Sequence, residues 1–121
     1  MLTRHVPMPV AHRAVIHGDT IYLAGMVADD KSLSLEGQAK QALEKIGALL
    51  GTLGSDAKHI LSTVNYVTDL GDKDQLNSAW LSFFEPADLP TRATVGVAQL
   101  GPGTLIEIVA TAALVDRAIG S

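Results

Sequence analysis

The chain has 121 residues, 47% hydrophobic and 18% charged, with nine Lys and Arg against thirteen Asp and Glu for a net charge of −4. A single domain over residues 1–121 is expected, large enough to build a core without disulfides or a structural metal. The acidic balance and an aromatic content of 4% argue against a nucleic-acid partner, which calls for a cationic surface and stacking rings.

Cysteine is absent, which excludes disulfides, thiolate nucleophiles and zinc–thiolate sites. Residues 1–7 lack the apolar core of a signal peptide, and no apolar run approaches the roughly 18 residues of a membrane span. A cytoplasmic protein with no membrane partner is the expectation. A small, charge-poor chain must place apolar surface somewhere, and contact with copies of itself is the natural outlet. A homo-oligomer is expected.

Pro7 and Pro9 punctuate an irregular start. Residues 10–16 and 20–23 are β-rich, and His17-Gly18-Asp19 between them reads as a hairpin turn. After the polar stretch 29–32 the period changes. Leu35, Ala39, Ala42, Leu43, Ile46, Leu49, Leu50 and Leu53 recur at three- and four-residue steps, the stripe of an amphipathic helix. Ser34 is placed to cap its start and Gly54 to end it.

Residues 59–68 read as a strand. Asp72 is placed to cap a second helix, with Gln75 three residues on completing a box. That helix carries Leu76, Ala79, Trp80, Phe83 and Phe84 on one side, and Pro86 and Pro90 bracket its exit. Residues 91–98 and 104–115 form two last strands. The order β-β-α-β-α-β-β predicts an α+β fold, both helices packed on one face of an antiparallel or mixed sheet. The other face would be uncovered in a monomer, and it gives the expected self-association a location.

Several chemistries find no support. His5, His12, His17 and His59 show no ligand spacing, so surface or turn histidines are the better reading than a metal site. Gly101-Pro102-Gly103 lacks the Lys-Ser/Thr ending and following helix of a phosphate loop, and it reads as a turn. No Gly-x-Ser-x-Gly elbow occurs. Trp80, Phe83 and Phe84 share a face with Leu76 and Ala79, so they read as core and not as a stacking box. Asn77 lies near that stripe, where a ligand-facing amide and an ordinary surface asparagine compete evenly.

Arg92 and Glu107 stand out. Arg92 opens a strand of small apolar residues, and Glu107 interrupts Leu105-Ile106-Glu107-Ile108-Val109-Ala110. Charges in a sheet core are paired or used. A register centred between Gln99 and Leu100 places Arg92 opposite Glu107 and Thr94 opposite Leu105. A plain cross-strand ion pair is one reading. The other is a pocket in which Arg92 grips a carboxylate with two hydrogen bonds while Glu107 orients a water or moves a proton.

At these residues the chain resembles the reactive intermediate deaminase family, known as Rid or YjgF. The similarity runs from about Val10 to Val115. Its clearest stretch is Pro90-Thr91-Arg92-Ala93-Thr94-Val95-Gly96-Val97-Ala98-Gln99-Leu100, followed by Ile106-Glu107-Ile108. Gln41-Ala42-Leu43-Glu44, Thr68-Asp69-Leu70 and Asn77, three residues before an aromatic, also match.

The resemblance implies a chorismate-mutase-like α+β fold and a homotrimer with clefts between subunits. It implies a cofactor-independent hydrolase of 2-imino or enamine acids such as 2-aminoacrylate, releasing 2-oxo acids and ammonia. Arg92 would bind the substrate carboxylate and Glu107 would position or activate the water. Gly25 and Thr94 would line the pocket, and Asn77 would support it.

Where the family commonly has Tyr on the first strand and Ser before the pocket glycine, this chain has Ala11 and Ala24. Val109 replaces a second Glu often found two residues after the first. The two alanines make that wall of the pocket more apolar. A non-catalytic trimer that binds a small carboxylate is the alternative they raise. Ribonuclease activity, attached to some relatives, is disfavoured by the acidic balance.

Overall fold

Residues 1–115 are described by a computed structural model; residues 116–121 of the expected domain lie outside the described residues. The strands are β1 (Leu2–Pro7), β2 (His12–His17), β3 (Thr20–Leu23), β4 (Ile60–Val67), β5 (Thr91–Gly96) and β6 (Ile106–Ala113). The helices are α1 (Leu35–Thr52) and α2 (Lys73–Phe83). All six strands form one mixed sheet in the order β1-β2-β3-β6-β4-β5. Among the described residues only β4 and β5 run parallel, joined by α2 as a crossover, which a parallel pair requires.

The expected α+β architecture is present, with one strand more than the sequence pattern indicated. β1 occupies the stretch read as an irregular start. It pairs antiparallel with β2 from Leu2↔His17 to Pro7↔His12. As an edge strand it is mostly exposed, so it shows no burial period, and an edge tolerates Pro7. β2 and β3 form the expected hairpin, His17 facing Thr20. Gly18 takes a φ of 62° at the first central position of the turn, a conformation that favours glycine.

Both helices cover one face of the sheet. Ala14, Ile21, Leu23, Ile60, Val67, Ile106, Ile108, Ala110 and Ala112 from the strands join Leu35, Ala39, Leu43, Ile46, Leu50, Leu76 and Trp80 from the helices in one buried cluster. α1 begins as expected, with Ser34 Oγ accepting from the Gly37 amide at 3.2 Å. It ends in a Schellman turn: Gly54 has a φ of 84° and the Ser55 amide donates to the Leu50 carbonyl at 2.9 Å. No helix among the described residues is long and apolar enough to cross a membrane.

The capping box expected at α2 does not form. Asp72 makes no side-chain cap, and Asp69 instead accepts from the Gly71 amide at 2.8 Å in the preceding 3₁₀ turn. The Gln75 amide oxygen is drawn away to the start of α1, where it accepts from the Glu36 amide at 3.2 Å.

The second correction bears on the site. β5 and β6 are not neighbours, because β4 lies between them. Arg92 pairs with Thr63, and Glu107 pairs with Tyr66. The loop from β5 to β6 therefore passes β4 instead of closing a hairpin. Gln38, fully buried on α1, holds this loop: its amide nitrogen donates to the Gly103 carbonyl at 2.9 Å, and its oxygen accepts from the Leu105 amide at 2.9 Å.

Candidate functional site

β4 decides which way each candidate points. Thr63, Asn65 and Val67 are buried on the helix-covered face, so Val64 and Tyr66 point the other way. Arg92 and Thr94 pair in parallel with Thr63 and Asn65 and share their face. Glu107 lies between Ile106 and Ile108, both fully buried against the helices, and so shares the open face with Tyr66. The two charged candidates sit on opposite faces of the sheet. The cross-strand ion pair expected from the sequence is absent.

On the covered side, the Arg92 guanidinium lies over the Trp80 ring, with Cζ 5.1 Å from its centroid. Its Nε donates to the Thr94 hydroxyl at 3.0 Å. Among the described residues its terminal nitrogens donate to no protein acceptor, and it joins none of the ion pairs. Partial burial lowers its pKa from the ordinary arginine value, yet an arginine so placed stays charged. The result is a half-buried cation with its outer fork unused. Asn77 is exposed on α2, one turn before Trp80.

On the open side, the Glu107 carboxylate lies against Gly25. A β-carbon at Gly25 would come within 2.7 Å of Glu107 Cδ, so only glycine leaves the carboxylate its place. Gly25 stays beside β6 because Met26 and Ile108 exchange backbone hydrogen bonds of 2.8 and 2.9 Å. The Ala24 amide donates to the Arg13 carbonyl at 2.9 Å. Ala11 is exposed in the turn between β1 and β2, at the same end of the hairpin as Ala24.

The predicted residues thus fall into two groups: Arg92, Thr94 and Asn77 on one side, Glu107, Gly25, Ala24 and Ala11 on the other. The helical stripe predicts Trp80 as core alone. It is core, 3% exposed, and it also carries the guanidinium. The missing signal was the parallel β4–α2–β5 unit, which brings α2 over β5. Tyr66, opposite Glu107, escaped notice for the same reason. No three metal-ligating side chains converge among the described residues.

The fold is a small α+β domain, a mixed sheet with two helices on one face, with a carboxylate seated on a glycine on one side and a guanidinium on the edge strand on the other. The sequence profile described as Endoribonuclease L-PSP matches residues 6–114. A 2-iminobutanoate/2-iminopropanoate deaminase of Rattus norvegicus is 33% identical over 106 residues, covering 83% of this chain and 77% of the relative. A RutC family protein of Synechocystis is 30% identical over 121 residues, covering 93% of each.

Among solved structures, an uncharacterised protein of Pseudomonas aeruginosa superposes with a TM-score of 0.90 at 31% identity, covering 95% of this chain and 100% of that one. A YjgF family member of Neisseria meningitidis gives 0.89 at 29%, covering 96% and 97%. The chain belongs to the Rid/YjgF family.

Proposed function

We propose that this protein is a cofactor-independent deaminase that hydrolyses small 2-imino or enamine acids, of the 2-aminoacrylate type, to 2-oxo acids and ammonia. The observation that carries the reading is the unpaired guanidinium of Arg92, held in a partly desolvated place with its terminal nitrogens unused. Such a group suits a small carboxylate gripped by two hydrogen bonds. The deaminase relative supports the reaction class.

Arg92 and Glu107 occupy opposite faces, so a pocket using both takes one from each of two chains. A homotrimer with its clefts at the subunit interfaces, in the cytoplasm, answers this requirement. It also covers the open sheet face, where Tyr22 keeps 50% and Val95 40% of their surface. In each cleft Arg92 of one chain holds the substrate carboxylate. Glu107 of the neighbour takes a proton from water as its oxygen adds to C2 of the imine. Glu107 passes that proton to the imine nitrogen, giving a carbinolamine; its hydroxyl proton then moves to the amino nitrogen as the carbon–nitrogen bond breaks, so ammonia leaves and the 2-oxo acid remains. An enamine first takes a proton on C3 to become the imine. These intermediates are reactive, so positioning and proton transfer suffice.

The test is 2-iminopropanoate hydrolysis, the imine being generated in place by an amino-acid oxidase, with wild type beside Arg92→Ala. Acceleration by wild type alone is expected. Equal rates for the two proteins, both folded, would sink the role of Arg92. The alanines at positions 11 and 24 favour a second reading, a trimer that binds a small carboxylate without turning it over. That reading predicts Arg92-dependent binding of 2-oxobutanoate with no acceleration of any imine.

A further inference from the structure

Arg92 has a long, flexible side chain on an edge strand, and an anchor of this kind discriminates only if something aims it. This inference rests on the carboxylate-binding role given to Arg92 above and concerns what does the aiming. We propose that Trp80 is a positioning residue for Arg92. Together with Thr94 it fixes the guanidinium so that a carboxylate is received end-on, by the two terminal nitrogens, and not side-on through Nε.

Three observations carry this. The Trp80 ring backs the guanidinium at 5.1 Å, a favourable cation–π separation. Nε is already committed to the Thr94 hydroxyl at 3.0 Å, which removes one of the two donors a side-on pair would use. Trp80 is itself closely packed. It is 3% exposed, its ring meets Phe84 at 5.0 Å and 54°, and Phe83 meets Phe84 edge-on at 4.9 Å and 88°.

The direction of the guanidinium is therefore set by Trp80 and the ring cluster at the end of α2. End-on binding places the carboxylate in the guanidinium plane and carries C2 of the ligand outward along the long axis of the side chain. Compact acids branched at C2 fit that approach. A ligand that needs Nε does not.

The test uses the full chain and 2-oxobutanoate as an unreactive carboxylate probe, with NMR of the Arg92 side-chain N–H groups. In wild type the Nε proton should be protected from exchange, and titration should move the terminal N–H resonances while leaving Nε nearly still. Trp80→Leu and Thr94→Val should each weaken binding about tenfold. Trp80→Phe and Thr94→Ser, which keep a ring and an acceptor, should recover most of it. In the imine assay the loss should fall on KM more than on kcat.

If Trp80→Leu does not fold, Trp80→Phe and Thr94→Val decide on the same resonances. Wild-type affinity in a folded Trp80→Leu, or a large probe-induced shift at Nε, would overturn the positioning role while leaving Arg92 an anchor. Wild type that binds no better than Arg92→Ala would remove the anchor, and the inference with it.

Discussion

On the helix-covered face of the sheet Ile21, Ile106 and Ile108 have no exposed surface, whereas on the opposite face Tyr22 retains 50% and Val95 40%. Each face carries one of the two charged candidates. Arg92 lies on the covered side, with Trp80 beneath its plane and Thr94 on Nε. Glu107 lies on the open side, and the nearest feature shaped for it is the bare backbone of Gly25. On the covered side the contacts that hold Arg92 all come from its own chain. The open side prepares a carboxylate and leaves the surroundings to whatever packs there. A core fixes side chains by close packing, while an uncovered sheet face can do so only through an interface.

The largest effect tests the proposal that Arg92 and Glu107 meet from different chains. Arg92→Ala and Glu107→Gln should each lower imine hydrolysis about a hundredfold or more. Unfolding and refolding an equimolar mixture should then restore roughly a quarter of wild-type activity, the statistical share of clefts with both residues intact. The refolded mixture is assayed beside each variant refolded alone. A mixture no more active than the separate variants would show that both groups act from one chain.

A smaller effect separates the two faces within a cleft. Gly25→Ala should push the Glu107 carboxylate aside, since the added carbon meets the flexible end of that side chain. Hydrolysis should lose about tenfold in kcat, with KM nearly unchanged because the Arg92 half is untouched. Thermal unfolding should move little. A rise in KM at constant kcat would mean that Glu107 contributes to binding instead.

Much of this could be read from the sequence, in a definable way. α1 was legible because eight apolar residues keep a helical step and both ends carry cap chemistry, and Ser34 and Gly54 do what their types suggest. β1 was not legible: an edge strand needs no buried period, and Thr3-Arg4-His5 looks like loop. Arg92 and Glu107 stand out in the sequence as charges among apolar strand residues, but the cross-strand pairing between them does not form. Short separation along the chain suggested a hairpin. The sheet instead places β4 between β5 and β6, and the crossover signal of strand, helix and strand over residues 60–96 is what outweighs proximity. Side-chain partners such as Gln75 with Glu36 depend on how the helices meet, which periodicity does not encode.

The smallest effect concerns the covered face itself, where one residue departs from the rule that buried polar groups find partners. Gln38 is fully buried and uses both ends of its amide, on Gly103 and Leu105. Asn65, equally buried on β4, has no hydrogen-bond partner among the described residues for either its amide oxygen or its nitrogen. An unsatisfied buried amide costs about 1–3 kcal/mol, and Val suits a central strand. Asn65→Val should therefore raise stability by about 1 kcal/mol, read as a higher denaturant midpoint at unchanged slope. Because Asn65 lies beside Thr94 in the parallel ladder, the affinity for 2-oxobutanoate should be measured on the same sample. A more stable protein with unaltered binding would make Asn65 a local defect of the core. A less stable one would mean that its amide has a partner in solution, such as a buried water, and that the covered face is as fully satisfied around Asn65 as it is around Gln38.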